Sequence, residues 1–534
     1  MPMDTELAYS ILEIMQTMED AAKEMKLKYI AGDIQGFNSL SMDLWDGISA
    51  VRDVARQNVP NGSRIRLVDA CSCALESLKD IKLLVITNPE KVEWKLEYEL
   101  MPLIESGAMQ FYYWAIVDGH PEKEEEYQAF LKNTDIFGLL RIPVEQRKYE
   151  VDLTIAITGY NHLDYTMQCV ESVLSNLPKN IKTEIILLNH GSKDGTKEYF
   201  EKMKEVKVIN VAVNGAAPGV NLKAISHGKY FLNISNDIVV GDNAIWNLYR
   251  CVKEHCDYGY VVPTTPAVSN LQTIEACYST TDELKAFTKK NNIYDERRHE
   301  QRTRLCNPLC IFPTNIVVQL SLEMYEDKCC GKSVMSFPDD KNSLWMRRNG
   351  YKCILAKDAY CHHFGSVTLK HDLEKKEEQR RFYLEGRIDF MNRYGVDPWG
   401  TGFCYDYNLF QNWNIPGIDG ANILGINCGL GSNSLKIKEV MREKGAINVT
   451  LYNGTQEKRF LEDLKGVSDK AFVFTKLTEI KDKTGRDYFD YIIIDEALEN
   501  IEVKDIEQQV RKAELQFKEL VYQVSDHEWT VIEY

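Results

Sequence analysis

"VDLTIAITGYNHLDYTMQCVESVLSNLPKNIKTEIILLNHGSKDGT", residues 151–196, holds the pattern that decides the fold. Two short apolar runs rich in β-branched residues, 151–160 and 183–192, each end in a polar turn. A helical stretch, "YTMQCVESVLSNL", lies between them. Strand, helix, strand in this order is a βαβ unit, and its continuation to about residue 400 predicts an α/β domain with a largely parallel sheet. Ligands of such sheets sit beyond the carboxyl ends of the strands, so the turns carry the functional reading.

Four strand ends supply four such turns. The first is Thr158-Gly159-Tyr160-Asn161, and the second runs from Asn189 through Gly191, Ser192 and Asp194 to Thr196. A third strand, "VKVINVAV", is followed by Asn214-Gly215 and, further on, Asn221. The fourth, "YFLNISNDIVVGD" at 230–242, breaks from an apolar strand into Asn233, Ser235, Asn236 and a lone carboxylate, Asp237, before turning apolar again. A carboxylate so placed either caps a turn or ligates a hard cation. Together the four turns form one rim of nucleotide size.

Outward from this block the texture changes. Residues 1–148 read as a helical bundle: Leu7, Ile11, Ile14, Met18, Ala22, Met25 and Tyr29 keep three- and four-residue steps, as do Phe37, Leu40, Leu44, Ile48, Val51 and Ala55. Pro102 is expected to kink or divide a fourth helix. The aromatic cluster at 111–114 reads as core, with a partner surface as the lesser alternative. Residues 149–405 form the central α/β domain. Residues 406–534 open with strand, Gly-rich turn and helix in "NILGINCGLGSNSLKIKEVMREKG", a second doubly wound unit. There "EVKDIEQQVRKAELQFKELVYQV" is expected to be helical.

The chain has 534 residues, 44% hydrophobic and 27% charged, with a formal net charge of −16. No basic stripe stands out to neutralise phosphates, which argues against nucleic acid as a partner. The 14 cysteines show no zinc spacing and no disulfide framework. Neither a leader peptide nor an apolar run of membrane-spanning length is seen, so a cytoplasmic protein is expected.

The central block resembles the GT-A catalytic domain of family 2 glycosyltransferases. "TGYN" at 158–161 resembles that family's "PTYN", and "NHGSKDGT" at 189–196 its "DNGSTDGT". "VNGAAPGVNLKAISHGKYFLN" at 213–233 resembles its Asn/Gly-rich segment, and "ISND" at 234–237 a variant of its DxD motif. "FPDDKNSLWMRRNGYKCILAKDAYCHHFGSVT" at 337–368 resembles its acidic motif, in which a carboxylate pair precedes "RRxGY". The resemblance covers about residues 150–400.

Sugar transfer from a nucleoside diphosphate sugar requires that the nucleotide be held, the leaving diphosphate neutralised and the acceptor hydroxyl deprotonated. The resemblance implies that Thr158, Tyr160, Asn161, Asn189, Gly191, Ser192, Asp194, Asn214, Gly215, Asn221 and Asn236 hold the donor, a UDP-sugar being favoured. Tyr160 and Asn189 would face the base, although Asn189 replaces an Asp and loses a charge-assisted bond. Asp194 is expected to cap the following helix or meet the base side. Asp237 is the expected ligand of Mn²⁺ or Mg²⁺, with Ser235 in place of the first acid and a nitrogen ligand from His362 or His363. Asp339 and Asp340 are the candidate bases, Asp339 by register, with a helix N-cap as the alternative role. Lys341 stands where a second acid is usual. Arg297, Arg298, Arg302 and Arg304 form a basic patch that either reaches the diphosphate or is a solvated helix face.

A base acting opposite the leaving group gives inversion. The acceptor stays open between a glycan, a lipid and a protein side chain, with bacterial glycan or protein glycosylation favoured, and homo-oligomerisation stays open as well. "ILGINCGLGSNS" resembles motif I of class I S-adenosylmethionine-dependent methyltransferases, with Gly425 and Asn453 where two acids are usual, so S-adenosylmethionine is not expected as a cofactor. A scaffold, dimerisation or acceptor-docking role is expected instead. A bifunctional enzyme and a non-catalytic nucleotide-sugar-binding protein are the alternative readings.

Overall fold

The structure, a computed structural model, describes residues 5–58, 67–112, 142–211, 222–326, 337–365, 376–499, 501–525 and 527–533. Statements of absence below refer to these residues.

Helices Thr5–Ile30, Ile34–Asn58, Leu67–Thr87 and Met101–Tyr112 pack on a core that includes Ile11, Met18, Leu44, Ile48, Leu75, Leu78, Leu100 and Phe111. The first stripe keeps its expected positions at 11, 18, 22 and 25 and departs from them at 14. Met15 is buried while Ile14 is 42% exposed, because the inward face follows 11, 15, 18, 22 and 25. Immediately before Pro102 the backbone widens into a π turn, Leu96–Leu100, which divides the segment as expected of a proline lacking its N–H. Phe111 lies in the core; residues 113–114 of the aromatic cluster lie outside the described residues.

The central sheet contains β1 (Val151–Gly159), β2 (Thr183–His190), β3 (Lys207–Val211), β4 (Gly228–Ser235), β5 (Ile238–Val240), β6 (Tyr258–Thr264), β7 (His299–Arg302), β8 (Leu309–Pro313) and β9 (Lys352–His363). Its order is β3-β2-β1-β4-β8-β6-β9-β5, with β7 on β9. The β3-β2-β1-β4 half is parallel, as the βαβ pattern requires. The other half corrects the largely parallel expectation: β8 runs antiparallel to β4 and β6, and β5 and β7 antiparallel to β9. One apolar layer gathers Leu153, Ile155, Ile157, Leu187, Leu232 and Ile234 against Cys169, Val170 and Val173 of the helix Leu163–Ser175.

A second sheet follows: β10 (Asn422–Ile426), β11 (Thr450–Thr455), β12 (Lys470–Val473), β13 (Tyr488–Ile494), β14 (Gln516–Ser525) and β15 (Glu528–Glu533), in the order β12-β11-β10-β13-β14-β15. All pairs are parallel except β14-β15. The expected helix over 502–524 is corrected here. Only Ile506–Lys512 is α-helical; Glu514 takes a left-handed backbone, φ 58°, and the aromatic and β-branched run from Phe517 joins the sheet as β14. No linker separates the two α/β units. One apolar cluster joins Phe337 and Leu344 to Phe390, Val396 and Leu409 and on to Ile423, Leu435 and Ile437.

Candidate active site

The first two turns are clasped together. Asn161 donates its backbone N–H to Ser192 Oγ (2.8 Å), and Lys193 N–H donates to Asn161 Oδ1 (2.9 Å). Asn161 and Gly191 both hold positive φ, 54° and 77°, a conformation that Asn and Gly tolerate best. Asn236 closes the clasp from the fourth turn, donating to Asn161 O (3.0 Å) and Thr166 Oγ1 (2.8 Å). Three strand ends are thereby fixed before any ligand arrives.

Above them lies a cavity of about 630 Å³ whose wall includes Thr158, Tyr160, Asn236, Asp237, His363, Asp339, Asp340 and Arg304. Asp237 sits in the tight turn between β4 and β5. Its carbonyl accepts from Phe364 N–H (3.1 Å), and Ile238 pairs with His363 across β5-β9. That register sets His363 Nε2 3.2 Å from Asp237 Oδ2. The other ring nitrogen, Nδ1, is 2.5 Å from Ala267 O. A carbonyl only accepts, so Nδ1 carries a proton and the ring is held with Nε2 toward the carboxylate.

Opposite stand the two acids, in the first turn of the helix Pro338–Arg348. Asp339 does not cap this helix: Phe337 is the N-cap residue and Pro338 opens the helix, which leaves the acids at the second and third positions of the first turn, where the helix dipole favours them. Arg304 grips Asp340 with two donors, Nε on Oδ1 and Nη2 3.3 Å from Oδ2. Asp339 accepts instead from Asn307 N–H (3.2 Å). Burial pushes the Asp339 carboxyl up to about 7, against the nearby Arg304 charge and with the help of Asp340. Of the pair, Asp340 is tied into an ion pair and Asp339 is the carboxylate poised to exchange a proton near neutrality.

Other sequence expectations part company with the geometry. His362 leaves the cavity because neighbours on β9 face opposite sides. Its Nδ1 lies 2.6 Å from Tyr278 OH, and it lines a second cavity of about 540 Å³ with Phe364. Asn189 does not line the cavity either: it is buried, donating to Asn210 Oδ1 (3.0 Å) and accepting from Ser192 N–H (2.9 Å). Asp194 accepts from Leu163 N–H (2.8 Å), Thr196 N–H (3.2 Å) and Thr196 Oγ1 (2.7 Å), which seats both helices. Burial alone would raise its carboxyl, but these donors outweigh that and hold it below its ordinary value. Asn214, Gly215 and Asn221 lie outside the described residues. The basic patch divides: exposed Arg297 pairs with Asp295, Arg298 bonds Asn291, Arg302 pairs with Glu300, and Arg304 alone of the four lines the cavity. It is no helix face, since Arg302 is on β7.

Sequence reasoning missed His190, Tyr383 and Trp399 on the cavity wall. His190 follows Asn189 at the end of β2; burial lowers its imidazole to about 4, and Nδ1 finds no partner among the described residues. Its place in "NHGSKDGT" was the available signal. Trp399 carried none, since it lies beyond every motif, in the segment that leads to the second sheet.

Residues 154–305 match the model of glycosyl transferase family 2. The central block therefore contains a glycosyltransferase family 2 domain, and the match takes in the clasped turns, Asp237 and Arg304, while Asp339 and His363 lie beyond it. Glycosyltransferase GlyG of Streptococcus pneumoniae serotype 4 is 31% identical over 108 residues, 19% of this chain and 35% of its own length. Poly(ribitol-phosphate) beta-glucosyltransferase of Bacillus spizizenii is 28% identical over 110 residues, 19% of this chain and 17% of its own length. The chain thus spans well under half of either relative. Among solved structures, S. aureus TarS 1–349 in complex with UDP-GlcNAc is similar with a TM-score of 0.30 at 14% identity, over 45% of this chain and 67% of that one.

Proposed function

We propose that this protein transfers a sugar, with inversion, from a nucleotide sugar to a hydroxyl of a glycan or protein acceptor, a UDP-sugar being the favoured donor. The observation that carries the reading is a single cavity lined both by Asp237 and His363 and by Asp339, Asp340 and Arg304. Its volume, about 630 Å³, suits a ligand of nucleotide-sugar size.

The pair Asp237–His363 fits a divalent cation. A carboxylate oxygen and an imidazole nitrogen 3.2 Å apart face each other favourably only with a proton or a cation shared between them. Among the described residues no cluster of three or more ligating side chains occurs, so phosphate and water oxygens would complete the shell. Mn²⁺ suits the mixed oxygen–nitrogen pair better than Mg²⁺. When bound, such an ion supplies Lewis-acid stabilisation of the leaving diphosphate. Asn161, Ser192 and Asn236 hold the floor beneath it rigid. Burial raises the Asp340 carboxyl, and Arg304 opposes that rise and presents positive charge to the cavity. Asp339 takes the acceptor proton.

We read the Gly-rich turn of the C-terminal unit as methyltransferase-like in sequence only, and we assign the unit a scaffold role. The turn is filled by the chain itself. Leu430 N–H donates to Thr401 O (2.9 Å) and Ser432 N–H to Gly402 O (3.2 Å), which takes the amides a ligand would need. A Cβ on Gly429 would stand 2.0 Å from Thr401 O. Asn453 is buried between Ser434 and Ser468 hydroxyls, each at 2.8 Å. Calorimetry with S-adenosylmethionine is expected to show no heat, and saturable binding would refute the scaffold reading. For the central domain the test is Mn²⁺-dependent hydrolysis of UDP-glucose and UDP-N-acetylglucosamine, lost in Asp237→Ala. Silence across a panel of nucleotide sugars would end the proposal.

A further inference from the structure

We propose that Asp463, in the C-terminal unit, is a positioning residue of the catalytic centre: it seats the helix that carries Asp339 and Asp340. The inference rests on the sugar-transfer reading for its functional consequence, but its geometry stands apart from it.

Asp463 lies in the helix Leu461–Lys465 and its side chain is fully buried. Each of its oxygens takes one guanidinium edge. Oδ1 accepts from Arg347 Nη2 (2.7 Å) and Nε (3.1 Å); Oδ2 accepts from Arg348 Nη2 (2.7 Å) and Nε (3.1 Å). Two forked pairs on one carboxylate fix both the distance and the rotation of the helix Pro338–Arg348. The backbones touch as well: a Cβ on Gly466 would lie 2.3 Å from Arg347 O.

The same junction reaches the other side of the acids. Arg347 Nη1 donates to Thr303 O, and Gln301 Nε2 donates to Gly466 O (3.3 Å). Thr303 precedes Arg304, which grips Asp340, and three residues beyond Arg304 the Asn307 N–H meets Asp339. One carboxylate thus sets the helix that bears the acids and the strand–loop segment that orients them.

Stability alone does not require this arrangement. Apolar side chains of similar size commonly replace a buried ion triad with no loss of stability; what they lack is directional bonding. That difference supplies the test. The variants are Asp463→Asn, the apolar triple Arg347→Met/Arg348→Met/Asp463→Leu, and Asp482→Asn as a control at an exposed carboxylate of the same unit. Each is followed by thermal melting, Mn²⁺-UDP calorimetry, turnover of the UDP-sugar against pH, and amide exchange.

Asp463→Asn is expected to keep UDP affinity within about twofold while kcat falls on the order of 10- to 100-fold, the size of effect a small misplacement produces. The pH midpoint of turnover is expected to move, and amides 339–348 to exchange faster while 154–190 stay unchanged. The triple variant is expected to melt like wild type yet keep the kcat loss. Wild-type kcat and wild-type exchange in the triple variant would overturn the proposal. If the wild-type protein turns over no nucleotide sugar, the transferase reading fails, and exchange at 339–348 still decides: faster in both variants upholds the seating role, unchanged exchange rejects it.

Discussion

The chain contains two α/β units, each with a glycine-bearing turn at the end of a parallel strand, and they differ in what lies above those turns. In the central unit the turns at 158–161 and 189–196 bond each other and leave a cavity of about 630 Å³ overhead. In the C-terminal unit the turn at 427–432 is covered by Thr401 and Gly402, whose carbonyls take its amides. A Gly-rich turn is thus permissive: it lets something approach the backbone closely, and the identity of that something decides between a ligand site and a domain joint. The covering segment also contains Trp399, which lines the central cavity, so the filled turn anchors part of the open site's wall.

The largest effects are expected where the open cavity concentrates charge. Asp237→Ala and Asp339→Asn should each lower turnover on the order of 10³-fold, measured as nucleotide released at saturating Mn²⁺. Their signatures differ. Asp237→Ala should lose the metal dependence, whereas Asp339→Asn should keep Mn²⁺-UDP binding and lose the rise in rate with pH. That rise should centre near 7, since the Asp339 carboxyl is pushed up to about 7 and must be ionised to act as base. Stability runs the other way. A raised carboxyl contributes stability that is present below its unfolded value near 4 and is lost as pH climbs through 7. Asp339→Asn should therefore melt like wild type at pH 4 and be more stable above pH 7, by up to about 4 kcal/mol.

Some of this was legible in the sequence and some was not, for physical reasons that individual residues show. Strand, turn and helix order from 151 to 196 reads directly from local pattern, and so does the isolation of Asp237 at a strand end. Which histidine joins Asp237 does not, since it depends on the pairing of Ile238 with His363, 125 residues away, and a one-residue slip would present His362 instead. Asn189 illustrates the same limit: Asn210 stands opposite it in the β2-β3 register and takes up its side chain. The segment 516–525 misled because its charged residues suit a helix, and the partners that make it a strand lie on β13 and β15. Asp463 gave no local signal at all; its meaning comes from two arginines 115 and 116 residues earlier.

The filled turn offers the next test. Gly402 has φ 74°, and a Cβ there would stand 2.1 Å from Cys428 O. Gly402→Ala faces both left-handed strain and a backbone clash, and should cost about 2–4 kcal/mol, measured by urea unfolding. Because the opposing atoms are backbone, no side chain can yield to relieve it. If the variant were instead as stable as wild type and bound S-adenosylmethionine, the covering segment would be a displaceable lid, and the contrast between the two units would dissolve.

The smallest effect should come from two neighbours on β9. His363 faces Asp237 inside the cavity, while His362 faces Tyr278 on the other side of the strand. His363→Gln removes the imidazole nitrogen but leaves Asp237 in place, so half-saturation by Mn²⁺ should rise about tenfold with modest change in kcat, the scale of losing one supporting ligand. His362→Gln should change both by less than about twofold, since its ring touches neither the acids nor Asp237. Comparable effects from both substitutions would mean that the strand is free to slip in register. A larger effect from His362 than from His363 would place the cation on the far side of β9, and the assignment of the central cavity as the reaction site would fail with it.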